Sequence, residues 1–245
     1  MTGAPRWQGP PPLAVVVDLD DTLYPQAAFL AGAAADVAAA AAAAGLDGAR
    51  VHVALTRELA AGSDRGGTID RALLATGTPA ADLPRLVPPL VAAFTAHAPS
   101  TLSPYPGAAE ALTALRAEVP VGCLTDGDPA IQAAKLAATG LAPLLTEVLV
   151  TDSLGGRAAR KPAPDGLRVL AGRLGVPADR VLVIGDRPGK DVAVAAAVGA
   201  RAVRVVQGEY AAAPDEPAAW AVTADFPSAA ALALSAVRAA VPAGR

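Results

Sequence analysis

The chain has 245 residues, 53% of them hydrophobic and 18% charged, with a formal net charge of −3. That length suits one large domain or a core with a smaller companion, and the apolar content can fill a sizeable interior. The acidic balance argues against a nucleic-acid or anionic-membrane surface, because both need a concentrated basic field.

Residues 1–12 are rich in proline and glycine and read as a flexible leader, with Trp7 available to dock locally. They lack the apolar core of a signal sequence, and no run is expected to span a bilayer, so a cytoplasmic location is expected. Residues 13–17 are uniformly apolar and largely β-branched, which fits a strand buried on both faces of a parallel sheet. The run ends abruptly in Asp18-Leu19-Asp20-Asp21-Thr22-Leu23-Tyr24. If the backbone stays extended, Asp18, Asp20 and Thr22 share one side. Carboxylates placed together repel, and magnesium suits such a site because it takes one or two carboxylates plus water and substrate phosphate.

Residues 25–103 carry helical signals almost throughout and no convincing strand. Helices are predicted over 27–44, 49–61, 69–76 and 83–96, with Gly45 ending the first and Thr68 capping the third. The glycine-rich stretch 62–67 breaks the pattern, and the proline-bearing stretch 99–106 reads as a hinge back to the sheet. This is a helical insertion. From Gly107 onward helix and strand alternate, as in a doubly wound parallel sheet. Helices over 108–117, 130–138, 165–174, 192–198 and 228–240 are interleaved with strands over 119–124, 147–150, 181–184 and 202–206, the last being the final predicted core strand. The expected fold class is α/β: a Rossmann-like parallel sheet over 13–24 and 104–245, interrupted by an α-helical domain over 25–103.

Three later strands end in polar groups that complement the first. Thr125-Asp126-Gly127-Asp128 offers a hydroxyl and backbone amides at a helix start to an anionic oxygen, although taken alone an ordinary capping turn is the favoured reading. Lys161 follows the third core strand after a loop. The chain favours arginine, and its only lysines are Lys135, Lys161 and Lys190. A compact ammonium approaches a carboxylate and a phosphoryl group as a point charge; the alternative is a solvated surface lysine, and the functional reading leads because it joins the other segments. Gly185 permits close backbone approach, and Asp186 can complete a metal site with Asp18. Asp191 either supports that site from behind or caps the next helix. Cys123, the sole cysteine, is expected to be buried in a strand and not to act as a nucleophile. His52 and His97 are isolated and offer no metal pair.

These segments together resemble the haloacid dehalogenase superfamily of aspartate-nucleophile phosphohydrolases, over nearly the whole chain. Asp18-Leu19-Asp20-Asp21-Thr22 is similar to its first motif, Thr125 to the second, Lys161-Pro162 to the third, and Gly185-Asp186 with Asp191 to the fourth. The helical insertion resembles the C1-type cap. The resemblance implies that Asp18 attacks phosphorus and that Asp20 protonates the leaving oxygen and then activates water, while Thr22 shapes the turn. Thr125, the Asp126 segment and Lys161 are implied to hold the phosphoryl group. Magnesium is implied at Asp18, the Asp20 carbonyl and Asp186.

Haloalkanoate dehalogenases of this superfamily lack the second aspartate, so Asp20 favours an oxygen leaving group. Two departures stand out: Asp126 occupies a position where relatives often have asparagine, and Asp152 adds a carboxylate near Lys161. Substrate choice is expected in the cap, with Tyr24, Ser63 and Arg65 as candidates. Arg65 either binds a second anionic group or is a solvated residue on a glycine-rich turn. The expected activity is a magnesium-dependent phosphatase, monomeric or homodimeric, acting on a small phosphorylated metabolite. A phosphoryl-transferring mutase, or a regulatory protein retaining the fold, is the alternative.

Overall fold

Ala14–Val17 (β1) is buried along its whole length. A strand with no polar face needs paired neighbours on both edges and cover on both surfaces. The computed structural model, which describes residues 6–239, supplies both. Val121–Thr125 (β2) pairs with β1 on one edge and Val181–Gly185 (β4) on the other, with Val16 opposite Gly122 and Val183. Glu147–Val150 (β3) extends the sheet beyond β2, and Arg201–Val205 (β5) extends it beyond β4. The order is β3-β2-β1-β4-β5-β6, all parallel.

The outermost strand, Ala221–Thr223 (β6), corrects the expectation that the core ends with the strand at 202–206. It has only three residues, too few for pattern alone to reveal it; pairing of Val203 with Ala221 creates it.

The inserted residues Gln26–Leu102 form a compact unit of their own. Its helices are Gln26–Ala43 (α1), Gly48–Ala60 (α2), Thr68–Ala75 (α3) and Leu83–Thr95 (α4). Alanine, the strongest helix former, dominates α1 and lets neighbours approach closely. Phe29, Ala33, Val37 and Ala41, spaced by four, make its buried face. Leu55, Leu73 and Leu90 complete the interior from the other three helices. Contrary to expectation, α1 is long and apolar enough to cross a membrane by length and composition. Ala34, Val37 and Ala41 of α1 instead belong to the packed interior of this unit.

In the other unit, Ala108–Arg116 (α5), Pro129–Thr139 (α6), Asp152–Gly155 (α7), Asp165–Arg173 (α8) and Ala193–Ala197 (α9) lie between strands, and Phe226–Val237 (α10) follows β6. Leu167, Leu170 and Ala171 of α8 and Val194 of α9 pack against Val16, Leu124 and Val183 on one sheet face. Val15 and Val17 alternate to the opposite face, where α5 and α10 contact the sheet. The short π-helical turn Pro188–Val192 replaces the first residue of the helix expected from 192, so that α9 begins one residue later. Helix α10 starts two residues earlier than expected and ends at Val237; Ala240, its expected end, lies outside the described residues, as do residues 1–5 of the expected leader. The described part of the leader is anchored: Trp7 meets Trp220 edge to face at 4.9 Å, and Arg180 Nη2 donates to the Pro11 carbonyl at 2.6 Å.

Leu170 is fully buried beneath the strands that carry the site. Leu170→Ala is expected to lower the unfolding free energy by about 2–5 kcal/mol, read as a lower urea midpoint at unchanged m-value.

Candidate active site

The chain leaves β1 to build β2 and β3 on one side, then crosses back to build β4, β5 and β6 on the other. Ligands of such sheets bind beyond the carboxyl ends of the strands where the order reverses, here between β1 and β4. Asp18 follows β1, and its N–H extends the ladder by donating to the Ile184 carbonyl at 2.9 Å. Asp186 directly follows β4.

Oxygens of Asp18, Asp186 and Asp191 lie within 4.8 Å of one another, and all three residues are buried. Asp191 does not cap α9; the N-cap position there is Val192. Its Oδ1 instead accepts from Lys161 Nζ at 2.6 Å, and its Oδ2 accepts from the Arg187 N–H at 3.0 Å. A Cβ at position 185 would overlap the Asp191 side chain, so the glycine is what lets this carboxylate tuck under the strand end. Lys161 Nζ also donates to Asp18 Oδ1 at 2.6 Å and to the Leu124 carbonyl at 3.1 Å. The lysine is therefore buried, not solvated.

Burial pushes the Asp18 carboxyl up to about 7; Lys161 pulls it down, and Asp191 pushes it up again. Asp186 rises to about 9 through burial and then through Asp191 and Asp18. Burial disfavours the Lys161 ammonium, but the surrounding aspartates more than reverse this and hold it charged. Asp186 Oδ1 is buried without a hydrogen-bond partner among the described residues. Crowded, proton-retaining carboxylates with an orphaned oxygen fit a hard divalent cation such as magnesium, which takes oxygen ligands.

Asp20 has a different environment. The extended run expected through Thr22 ends at Asp21, whose φ of 56° turns the backbone into the left-handed region. Asp18 and Asp20 meet different side-chain partners. Asp20 Oδ1 accepts from Tyr24 Oη at 2.5 Å, Lys135 Nζ lies 2.9 Å from both oxygens, and Gln132 Nε2 is 3.1 Å from Oδ2. Burial raises its pKa, but Lys135, Tyr24 and Gln132 outweigh that and hold the carboxyl below the usual range. Tyr24, expected among the selectivity residues, is fully buried with its hydroxyl on this carboxylate.

The turn itself is braced from β5's far end. Gln207 Nε2 donates to the carbonyls of Asp21 and Thr22 at 3.0 and 2.9 Å, and Asp21 Oδ2 accepts the Glu209 N–H at 2.9 Å. A Cβ at Gly208 would collide with Asp21. Thr22 is buried, and its Oγ1 has no partner among the described residues.

Thr125 closes β2, and its Oγ1 accepts from Gln132 Nε2 at 2.5 Å. The Asp126 carboxylate accepts from Thr151 Oγ1 at 2.8 Å, the Lys161 N–H at 3.0 Å and Lys190 Nζ at 3.0 Å. Burial opposes its charge, yet Lys161 and Lys190 prevail and keep its pKa low. Asp152 forms a two-pronged pair with Arg160, both contacts at 2.6 Å. Ser63 and Arg65 lie on the turn between α2 and α3, where Arg65 is exposed and packs back on Gly62 and the Ala61 carbonyl.

Cys123 is fully buried in β2, as expected, and burial raises its thiol pKa. His97 packs edge to face on Phe29 at 5.1 Å and meets Asp36 at 2.6 Å. The residues that pattern reading missed are Gln132, Lys135, Lys190 and Gln207. For the two lysines a signal was present: each of the chain's three lysines contacts a carboxylate at these strand ends.

Fold and site together define a doubly wound α/β protein with a carboxylate and lysine centre at its switch point. A profile of the haloacid dehalogenase-like hydrolases matches residues 12–199, and the chain belongs to that family. It is 32% identical to the glyceraldehyde 3-phosphate phosphatase of Methanopyrus kandleri, over 80% of this chain and 85% of that protein. It is 37% identical to the phosphoglycolate phosphatase of Rhodospirillum rubrum, over 80% of each. Among solved structures, a family hydrolase from Deinococcus radiodurans with bound phosphate and sodium superposes with a TM-score of 0.62 at 27% identity, covering 94% of this chain and 99% of that one.

The raised carboxyl pKa values carry a sign. Asp18 and Asp186 titrate near 7 and 9, above their ordinary 3.8, so the native state keeps protons that the unfolded chain releases. Without a cation, stability therefore falls as pH rises through the interval between about 4 and 9. A cation that replaces these protons binds better as they leave. Magnesium is expected to raise Tm more at about pH 8.5 than at about pH 6. Asp186→Asn is expected to remove most of that difference, and an equal rise at both pH values would count against the trio as a cation site.

Proposed function

We propose that the chain is a magnesium-dependent phosphatase that hydrolyses a small phosphate monoester through an aspartyl-phosphate on Asp18. The observation that carries this reading is the contrast between two nearby aspartates. Asp18 sits at the strand end beside Lys161 and two further carboxylates, whereas Asp20 is held apart by Tyr24, Gln132 and Lys135. Two carboxyl groups held by separate partners, one beside a lysine and further carboxylates and the other among donors that orient it, are suited to separate roles.

In this reading Asp20, ionised in the free site, takes up a proton as the anionic ester binds beside it; an ionised Asp18 oxygen then attacks phosphorus as the bond to the ester oxygen breaks, and Asp20 gives that oxygen the proton. Asp20 then takes a proton from water as the water attacks phosphorus, releasing Asp18 and inorganic phosphate. Thr125 Oγ1, the Asp126 N–H and Lys161 Nζ hold the phosphoryl oxygens. The Gly127 N–H donates to Asp152, which narrows the amide contribution to Asp126. Thr22 shapes the turn, and Asp191 keeps Lys161 in place. A divalent cation held by Asp18, Asp186 and the Asp20 carbonyl would offset the repulsion between an anionic nucleophile and an anionic ester.

The helical insertion is assigned the part of a cap that selects the substrate, with Ser63 and Arg65 as its selecting groups. Two relatives named for glyceraldehyde 3-phosphate and phosphoglycolate support a compact ester. An arginine suits the carboxylate of the second. Tyr24 moves from substrate selection to support of Asp20.

A panel of small phosphate esters assayed with magnesium tests the assignment. Asp18→Asn is expected to reduce turnover on the order of 10³-fold or more while the protein remains folded. Release of free phosphate identifies hydrolysis; an isomerised ester that retains its phosphate identifies a mutase. Unchanged turnover in the variant would refute Asp18 as nucleophile.

A further inference from the structure

The donors around Asp20 are supplied from outside the four strand-end segments. Tyr24 Oη donates to Oδ1, Gln132 Nε2 donates to Oδ2, and Lys135 Nζ spans both oxygens. Opposite oxygens held by different donors fix the twist of the carboxylate plane, and the spanning ammonium fixes its distance from α6. Gln132 and Lys135 stand three residues apart, so they share one face of that helix. The same Gln132 nitrogen lies 2.5 Å from Thr125 Oγ1 and 2.8 Å from the Asp126 carbonyl, so its two hydrogens are shared among three acceptors. A single amide group thus ties Asp20 to the end of β2.

Packing alone does not account for these two residues. Both are buried, at 2% and 4% exposure. Gln132 Oε1 is buried with no hydrogen-bond partner among the described residues, and a buried unpaired acceptor is destabilising. Taking the Lys135 ammonium out of water carries a further penalty. Methionine at each position would avoid that residue's penalty with a side chain of similar length.

We propose that Gln132 and Lys135 are positioning residues that aim the Asp20 carboxyl at the leaving oxygen and set it in register with the phosphoryl site at Thr125. This inference rests on the reading of Asp20 as acid and base. A carboxyl beyond a strand end otherwise keeps two side-chain torsions free, and small misplacements of reacting groups cost large factors in rate. The predicted defect is specific. It grows with the need of the leaving oxygen for a proton.

The test uses the full chain with magnesium and two esters of similar shape, phenyl phosphate and p-nitrophenyl phosphate. The phenolate is the more basic leaving group and needs the proton; the nitrophenolate needs it far less. The kcat/KM value reports the steps through transfer to Asp18. For Lys135→Met and Gln132→Met it is expected to fall roughly 10–100-fold with phenyl phosphate and less than about threefold with p-nitrophenyl phosphate. In the Asp20→Asn background Lys135→Met is expected to add almost nothing, because it acts through Asp20, and Gln132→Met is expected to keep only the smaller, leaving-group-independent part of its loss that passes through Thr125.

Equal losses on both esters, or losses that persist in full without Asp20, would overturn the positioning role. If Asp20→Asn itself shows no dependence on the leaving group, the acid and base reading fails. If Asp20→Asn shows that dependence and the α6 variants do not, only the present inference fails. Gln132→Met removes no charge and carries the same test should Lys135→Met fail to fold.

Discussion

Three aspartates crowd together at the carboxyl ends of β1 and β4 with a single lysine among them. At separations up to 4.8 Å, two ionised carboxylates repel by about 3 kcal/mol or more at an effective dielectric of about 20. One ammonium cannot neutralise three such groups, and burial removes the water that would otherwise screen them. The surrounding structure answers this conflict. Gly185 makes room for Asp191, Lys161 bridges Asp191 to Asp18, and the remaining negative charge leaves the cluster suited to protons or to a cation.

The neighbouring carboxylates are treated in the opposite way. Asp20 and Asp126 each receive a lysine and further donors, and both are held ionised. The chain's three lysines are thus distributed one to each problem. Arginines serve elsewhere, as in the pairs of Arg71 with Glu58 and Arg160 with Asp152. A compact ammonium fits between closely set oxygens, whereas a planar guanidinium needs a broad, fork-shaped partner. The choice of cation therefore follows the space available at the strand ends.

The topology explains why this arrangement is rigid. Asp18, Asp186 and Thr125 extend from strands buried on both faces and locked in register by parallel pairing. The more irregular turn bearing Asp20 and Asp21 lacks that support and is braced by side chains instead: Gln207 from beyond β5, and Gln132 and Lys135 from α6. Regular backbone places Asp18, and side-chain hydrogen bonds place Asp20.

Much of this was legible in the chain itself. Apolar β-branched runs require buried strands, and an abrupt change to aspartate, threonine or glycine marks where each run leaves the core; that locates Asp18, Thr125, Asp186 and the helical insertion without any tertiary information. Strand β6 was not legible, because three unremarkable residues become a strand only when an edge is available to pair with. The extended course expected through Thr22 was wrong for a related reason: alternation holds only while a ladder enforces it, and at Asp21 the ladder has ended. Lys135 and Gln132 read locally as ordinary helix residues. Only the tertiary fold brings them to Asp20, more than a hundred residues away in sequence, because long-range side-chain pairing leaves no periodic trace.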